Sequence, residues 1–375
     1  MPGIFQRSPV IEQDEIEAIE SVLKKGALSG FRGAPGNGFL GGEKVREFEE
    51  KFASYFGVKY AVTFNSCTSA LHGACVACGI KAGDEVVVTP FSFTSSAKCA
   101  LYVGAKPVFA DIQNDIFCID PKEIEKKITP KTRAIIPVHL CGHPADMDRI
   151  MAIASKYGIK VIEDSAQAIG ATYKGRYTGT IGHCGVFSFD YAKTMTTGEG
   201  GMLITDNPEI AEIAQAVRNH GEMLGGDVLG FNYRMTEFQA AMGIVQFSKL
   251  GFLNDWRIKL CDHLTERLMK IGGIVPPKVY YDCKHVYFTY AIKVKENRDE
   301  IVKLLNDRGI YMGAGYNRPL HLLPIYKGKE GDCPVAEQMY NETLMVTDVC
   351  KYPQTIDDMD YIADTLEEIC KNVPI

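Results

Sequence analysis

The sequence predicts an α/β protein with a mostly parallel sheet, flanking helices and a smaller α+β domain at its C-terminal end. Two observations favour this fold. Short runs rich in β-branched residues alternate with helical stretches through the first two thirds of the chain, a pattern typical of βαβ units. A different order of elements begins near residue 250. The length of 375 residues also favours about two domains. We therefore expect a large domain over residues 1–250 and a small domain over residues 251–375.

The N-terminal part predicts two helices separated by a glycine-rich loop. Ile16, Ile19 and Leu23 mark one apolar face of an early helix, and a second helix is expected over residues 43–55. Between them, residues 26–42 read GALSGFRGAPGNGFLGG. Because glycine accepts backbone conformations that other residues avoid, this loop is a candidate for close approach to a ligand.

Strands and helices then alternate along the chain. The strand-like runs are 60–64, 85–89, 107–111, 134–138, 161–164, 186–189, 201–205 and 286–294, and the expected helices include 68–78, 145–158, 235–250 and 298–308. Since ligands of open α/β sheets bind at the carboxyl ends of the strands, three segments that follow strands are the candidates for function.

The first segment covers residues 64–71 and passes from a strand into a helix through hydroxyl residues. A helix N-terminus offers unpaired N–H groups and the positive end of the helix dipole, which suit a phosphate. Ser66 or Thr68 could equally act as a simple helix cap that needs no ligand. This segment alone favours the simple cap.

The second and third segments carry an acidic pair and a lysine. Glu163 and Asp164 end an apolar strand, where each carboxylate requires a partner, although an Asp there could simply cap the next loop. Lys193 lies between an aromatic strand end and a glycine turn; it is either a nucleophile with a lowered pKa or a solvated surface residue. Together, Lys193, Asp164 and a phosphate seat match the requirements of pyridoxal phosphate.

Charge and cysteine content exclude several classes of protein. The net charge is −6 with dispersed charges, which disfavours a nucleic-acid partner. We find no secretory signal and no long apolar run, so we expect no membrane partner. The 12 scattered cysteines are then expected to be reduced thiols in the cytoplasm. Cys75 and Cys78 have no second pair at zinc spacing, so we predict packing there, and the segment 139–143 is interpreted as a loop beside the active site, with no metal bound.

Several longer motifs occur in a fixed order along nearly the whole chain. They include NSCTSALH (65–72), IEDSAQAIGA (162–171), FSFDYAKTMTTGEGG (187–201), GFNYRMTEFQAA (230–241) and RPLHLLPIY (318–326). In sequence and spacing they resemble the DegT/DnrJ/EryC1/StrS family of pyridoxal-phosphate-dependent sugar aminotransferases. The resemblance implies a fold-type I aminotransferase with a seven-stranded sheet. It also implies transfer of an amino group from L-glutamate or L-glutamine to a keto sugar in amino-sugar, polysaccharide or antibiotic-sugar biosynthesis. The first candidate for the acceptor is a nucleotide-linked keto sugar.

The resemblance also assigns roles to the cofactor residues. Lys193 would form the Schiff base with pyridoxal phosphate, with pyridoxamine phosphate as the intermediate form, and Asp164 would hold the pyridine nitrogen protonated. Gln167 would contact the ring hydroxyl. The remaining cofactor residues would be Ser188, Thr68 and Ser69 at the phosphate, Phe93 stacked on the ring, and Asn232 reaching the phosphate of a neighbouring subunit. The last role implies a homodimer with shared active sites.

Substrate residues follow less directly. The resemblance places His321 near the substrate, and it places Asp190 and the long loop that begins at Phe31 on the substrate side. Arg32 and Arg234 could meet a phosphate or a carboxylate. Several alternatives stay open: a free keto-acid sugar or a cyclitol ketone as acceptor, a lyase of the same fold, or a non-catalytic sensor. A sensor has no need for Lys193 and Asp164 together.

Overall fold

The computed structural model describes residues 10–34, 36 and 38–374. The strands are β1 (Tyr60–Phe64), β2 (Glu85–Val88), β3 (Lys106–Phe109), β4 (Thr132–Ile136), β5 (Lys160–Asp164), β6 (Thr172–Tyr173), β7 (Arg176–Tyr177), β8 (Cys184–Ser188), β9 (Gly201–Thr205), β10 (Ile274–Val275), β11 (Cys283–Lys284), β12 (Tyr290–Val294), β13 (Gly313–Ala314) and β14 (Leu344–Thr347). The helices are α1 (Gln13–Lys25), α2 (Glu43–Phe56), α3 (Cys67–Ala77), α4 (Ser95–Tyr102), α5 (Pro121–Lys127), α6 (Met147–Tyr157), α7 (Pro208–Arg218), α8 (Glu237–Ser248), α9 (Leu250–Leu268), α10 (Arg298–Asp307), α11 (Pro334–Gln338) and α12 (Ile356–Asn372).

The central sheet has seven strands in the order β1-β9-β8-β5-β4-β2-β3. All neighbouring pairs from β8 to β3 are parallel, whereas β9 is antiparallel to both β1 and β8. The predicted mostly parallel seven-stranded sheet with flanking helices is therefore confirmed. Its carboxyl ends face one edge, where the loops that follow β1, β2, β5 and β8 meet.

Helix ends follow local capping chemistry. Asn207 caps α7 through its side chain, with Pro208 as the first helical residue. Asp146 caps α6, which ends at Gly158 in the left-handed conformation. The expected helix over residues 235–250 instead ends at Ser248, and α9 begins two residues later at Leu250.

The first helix buries a polar side chain, whereas much of its apolar face is exposed. In α1, Ile16 and Leu23 are 47% and 53% exposed and Ile19 is half-buried, whereas Glu15 and Val22 are buried. The reason is polar: the Glu15 carboxylate accepts a hydrogen bond from Gln246 Nε2 at 2.7 Å and pairs with Lys249 Nζ at 2.8 Å. The buried side of α1 thus carries the carboxylate of Glu15 together with the apolar side chain of Val22.

A second sheet, in the order β10-β12-β14-β13, lies in the C-terminal part of the chain. Its apolar core runs from Leu260 to Val373 and includes residues of α9, α10 and α12. The predicted domain boundary after residue 250 falls at the first residue of α9 and remains a prediction. The expected strand over 286–294 is shorter because Tyr287 has a φ of 47°, which interrupts extended backbone.

A third sheet joins β11, β6 and β7. Among the residues that the structure describes, no helix is long and apolar enough to cross a membrane.

Candidate active site

A cavity of about 510 Å³ opens at the carboxyl edge of the central sheet. Its walls come from the segments that follow β1, β2, β4, β5 and β8. They bring together most of the predicted cofactor residues: Thr68, Phe93, Asp164, Gln167, Ser188 and Lys193, with Asp190 beside them. Residues from remote parts of the sequence therefore meet in one cavity, as the strand-end argument predicted.

Lys193 projects from the turn after β8. Its backbone N–H donates to the carbonyl oxygen of Asp190 at 3.0 Å, and its Nζ lies 4.3 Å from the ring centroid of Phe288. Burial lowers the pKa of Lys193, while the negative charges of Asp164 and Asp190 act in the opposite direction. A lowered pKa increases the fraction of Lys193 that is present as the neutral amine, which is the nucleophile and base.

Asp164 is 3% exposed at the end of β5. Its Oδ2 accepts a hydrogen bond from Ser96 Oγ at 2.8 Å, and its Oδ1 accepts one from the Ala166 N–H at 3.1 Å. Burial raises the pKa of Asp164, and these hydrogen bonds and the charge of Lys193 only partly offset that effect. A cationic partner in the cavity would stabilise the carboxylate, which is what a protonated pyridine nitrogen supplies.

Glu163 points away from the cavity and has its own set of partners. Its carboxylate accepts hydrogen bonds from His139 Nε2 at 2.9 Å and from three backbone N–H groups at 2.5–2.9 Å: Gly179, Ile181 and Gly182. His139 Nδ1 accepts from the Ala145 N–H at 3.0 Å, so the Nε2 carries the proton. The acidic pair thus divides between a structural Glu163 and a cavity-facing Asp164.

Gln167 is held between two elements. Its Oε1 accepts from the Cys141 N–H at 2.8 Å, and its Nε2 donates to the hydroxyl of Tyr316 at 2.7 Å. The 139–143 segment is thus a loop beside the cavity, as predicted. In the described ranges no group of three or more His, Cys, Asp or Glu side chains could hold a metal. Sequence reasoning missed Tyr316, which lies 149 residues from Gln167.

The predicted phosphate seat lies at the start of α3. Ser66 caps the helix by accepting the Ser69 N–H at 3.1 Å, so the simple capping interpretation is correct for that residue. Thr68 Oγ1 lies 2.7 Å from Ser95 Oγ, and Ser188 lines the same cavity. The Ser69 hydroxyl donates to Asn65 Oδ1 at 2.6 Å and does not line the cavity. Backbone N–H groups and hydroxyls at a helix N-terminus fit a phosphate group.

Gly201 shows how closely the backbone packs behind this seat. A Cβ atom there would lie 2.5 Å from the carbonyl carbon of Ser66. Close packing against Ser66 therefore explains why the turn after Lys193 has a glycine at position 201. Phe93 also lines the cavity and is 60% exposed, so its ring is accessible for stacking.

Four predicted site residues form a second cluster outside this cavity. Arg234 Nε donates to Asn232 Oδ1 at 2.9 Å, and its Nη1 donates to Asn219 Oδ1 at 3.3 Å. Asn219 Nδ2 in turn donates to the carbonyl oxygen of Arg32 at 2.8 Å. The ring of Phe31 lies 4.8 Å from the guanidinium of the fully buried Arg218. Arg32 and Arg46 line a separate shallow cavity in the glycine-rich loop.

Arg218 and Asn219 hold this second cluster and had no role in the sequence prediction. Their signal was present, because both belong to the RNHG motif at 218–221. The motif alone does not predict that Asn219 bonds to the glycine-rich loop more than 170 residues away, because only the tertiary fold brings the two segments together.

His321 lies apart from this cavity, and its predicted place near the substrate stays a prediction. Its side chain is 1% exposed, and its Nε2 lies 2.9 Å from Glu337 Oε1. It does not line the cavity that contains Lys193. The Glu337 carboxylate also accepts hydrogen bonds from the backbone N–H groups of Gly331 and Cys333, so the pair organises the loop before α11.

Comparison with known proteins agrees with this geometry. The chain matches the model of the DegT/DnrJ/EryC1/StrS aminotransferase family over residues 11–367. It is 35% identical to the spore coat polysaccharide biosynthesis protein SpsC of Bacillus subtilis, covering 97% of this chain and 96% of that protein. It is 38% identical to the GDP-perosamine synthase of Caulobacter vibrioides over 76% of this chain and 79% of that protein.

A solved structure shares the fold throughout. An aminotransferase from Psychrobacter cryohalolentis superimposes with a TM-score of 0.91 at 32% identity, covering 98% of this chain and 99% of that one. The expected cofactor, pyridoxal phosphate, is confirmed on these grounds. The residues fit it: Asp164 suits its ring nitrogen, Lys193 its aldehyde carbon and the α3 N-terminus its phosphate. From its motifs, its fold and the residues of its cavity, the chain belongs to the DegT/DnrJ/EryC1/StrS family of sugar aminotransferases.

Proposed function

We propose that this protein transfers the amino group of L-glutamate or L-glutamine to a nucleotide-linked keto sugar. The observation that carries the proposal is the joint placement of Lys193 and Asp164 in one cavity with a helix N-terminus. The names of the relatives support the acceptor class, because one is a GDP-perosamine synthase and another belongs to polysaccharide biosynthesis. The 12 free cysteines are consistent with action in the reducing cytosol.

The protein's contribution begins with binding. When pyridoxal phosphate is bound, it supplies an electron sink for the electrons of the donor Cα–H bond. Asp164 would keep the ring nitrogen protonated, and the ring of Phe93 would stack on one face. The hydroxyls of Thr68 and Ser188 and the N–H groups at the start of α3 would hold the phosphate. Gln167, fixed by Cys141 and Tyr316, would bind the ring hydroxyl.

Proton transfer is the role of Lys193. Its Nζ is the group in the cavity that can act as a base toward the donor Cα, because burial favours its neutral form. The same Nζ, once protonated, can return the proton as a general acid. One side chain can therefore serve both halves of a transamination.

We further propose that the active form is a homodimer with shared sites. Asn232, Arg234, Arg32 and Phe31 cluster away from the Lys193 cavity of their own chain, which supports a role in the partner's cavity. The two arginines would supply positive charge for an anionic substrate or cofactor group.

Subunit mixing tests the shared sites. Lys193→Ala and Asn232→Ala chains should each be inactive alone, and co-refolded chains should recover about a quarter of the wild-type activity, since half of the dimers would carry one intact site. Recovery of no activity from the mixture, with dimers demonstrated, would place Asn232 in its own subunit's site, and an Asn232→Ala chain that is active alone would place Asn232 outside any site.

The proposed transaminase activity is tested by the visible absorption band and by the acceptor that restores it. The purified protein should be yellow and lose its visible band when L-glutamate is added, and a nucleotide-linked keto hexose should restore the band. Restoration by a free keto-acid sugar or a cyclitol ketone alone would assign the acceptor to those classes instead. A band that responds to no amino donor would contradict the transaminase proposal and favour a sensor.

A further inference from the structure

Phe288 lies directly over the amine of Lys193, and no motif assigned it a role. The Nζ of Lys193 is 4.3 Å from the centroid of the Phe288 ring. Phe288 comes from the segment just before β12, in the C-terminal part of the chain, so it approaches Lys193 from outside the central sheet. The face of an aromatic ring carries partial negative charge and attracts an ammonium group at this distance.

The position of the ring is fixed by several backbone contacts. The N–H groups of Val286 and Thr289 donate to the carbonyl oxygens of Gly142 and Cys141 at 3.1 and 3.3 Å. The buried guanidinium of Arg257 donates to the carbonyl oxygen of Phe288 itself at 3.0 Å. The ring is therefore placed by anchors on both sides rather than by side-chain packing alone.

Gly142 makes this arrangement possible. Its φ is 95°, and a Cβ atom there would lie 2.9 Å from the backbone nitrogens of Tyr287 and Phe288. The neighbouring Cys141 N–H holds Gln167. One turn, Leu140–Gly142, thus orients both the side chain beside the cofactor ring and the segment that carries Phe288.

We propose that Phe288 is a positioning residue that holds the Lys193 amine in the cavity and stabilises its ammonium form between proton transfers. The inference rests on the role of Lys193 in the proposed function. A buried ammonium is costly unless something compensates its charge, and the ring face does so without forming the tight ion pair that a carboxylate would form. Lys193 can then keep a proton long enough to return it.

The experiment measures the protonation of Lys193 in the full-length chain, freed of cofactor by dialysis against hydroxylamine. Trace acetylation with acetic anhydride labels only neutral amines, and peptide mass spectrometry quantifies acetyl-Lys193 as a function of pH. In Phe288→Leu the midpoint of labelling should move to lower pH. At pH values well below the wild-type midpoint, labelling should then rise about two- to tenfold, with the plateau at high pH unchanged.

Three further variants complete the test. Phe288→Tyr keeps a ring and should reproduce the wild-type curve, and Phe288→Met offers a second ring-free side chain should Phe288→Leu fold poorly. Tyr157→Leu is the matched control, because the Nζ of Lys156 lies 4.9 Å from the centroid of the Tyr157 ring and neither residue lines the Lys193 cavity. This control should leave the Lys193 curve unchanged.

Two results would overturn the proposal. An unchanged midpoint in both ring-free variants would show that the ring does not stabilise the ammonium, and a higher plateau with a fixed midpoint would show that Phe288 only covers Lys193. In the loaded enzyme, the ring-free variants should lower kcat for the L-glutamate half-reaction with little change in KM. The labelling measurement requires no turnover, so its result does not depend on whether the transaminase proposal is correct.

Discussion

Replacing Asp164 by Asn removes the negative charge of this side chain and keeps its shape. The new amide is nearly isosteric: its oxygen can still accept from the Ala166 N–H, and its NH2 group can donate to Ser96 Oγ, which lies 2.8 Å from Oδ2 in the wild type. It cannot, however, provide the negative charge that keeps a pyridine nitrogen protonated. The variant should therefore change the chemistry strongly and the fold very little.

The magnitude follows from Coulomb attraction and from burial. Two opposite unit charges about 4 Å apart at an effective dielectric of about 20 attract by about 4 kcal/mol. Loss of that attraction corresponds to about a thousandfold lower rate for the L-glutamate half-reaction. Burial raises the pKa of Asp164, so the charged form destabilises the cofactor-free chain above that pKa. Cofactor-free Asp164→Asn should accordingly unfold at the same or higher denaturant concentration than wild type at pH 8.

The assay is single-turnover loss of the visible band after mixing with excess L-glutamate. Asp115→Asn is a suitable control, because Asp115 is a half-buried carboxylate outside the cavity that pairs with Lys278 at 2.8 Å. The control should react at the wild-type rate. A rate for Asp164→Asn within about threefold of wild type would refute the assignment of Asp164 to the ring nitrogen.

Other predictions concern the nucleophile, the supporting turn and the buried acid–base pairs. Lys193→Ala should abolish turnover while leaving the unfolding curve nearly unchanged, and wild-type turnover would refute its role. Gly142→Ala should cost about 1–3 kcal/mol of unfolding free energy, since it strains a left-handed backbone and crowds two backbone nitrogens; an unchanged denaturation midpoint would refute this contact. Glu163→Ala should cost about 4 kcal/mol or more because four buried donors lose their acceptor, which chemical denaturation would measure, and a loss below about 1 kcal/mol would contradict it. Burial lowers the pKa of His143 to about 4, so the unfolded chain binds more protons between pH 6.5 and 4, and stability present above pH 6.5 is lost on acidification. The His143 contribution should be about 3 kcal/mol between pH 8 and pH 4, and His143→Gln should reduce that loss.

Much of the central sheet could be read from the sequence. The strands at 60–64 and 201–205 match the structure residue for residue, because runs of β-branched and apolar residues bounded by polar or glycine turns leave little freedom of register. The early helix was found, but its buried face was not. Periodicity favoured Ile16 and Leu23, whereas Glu15 is buried because it meets Gln246 of α8 and Lys249, which follows α8.

The meeting of the predicted cofactor residues in one cavity was predictable for the same reason that the sheet was. Asp164, Ser188 and Lys193 are at or just after strand ends, and parallel strands bring such ends to one edge. Tyr316, Phe288 and Asn219 were not predictable, since each acts through a contact made only when distant segments fold together. The contact between His321 and Glu337 was not predictable either, because a motif fixes a segment and not the direction of a side chain.

The central claim is that Lys193 and Asp164 serve the movement of nitrogen onto a sugar. Its most direct test is incubation of the purified enzyme with L-glutamate labelled with ¹⁵N at the amino group and a nucleotide-linked keto hexose, followed by mass spectrometry of the sugar. We predict an amino sugar that carries the ¹⁵N label, formed by the wild-type enzyme and absent with Lys193→Ala. An unlabelled sugar, or label incorporated equally by Lys193→Ala, would contradict the claim.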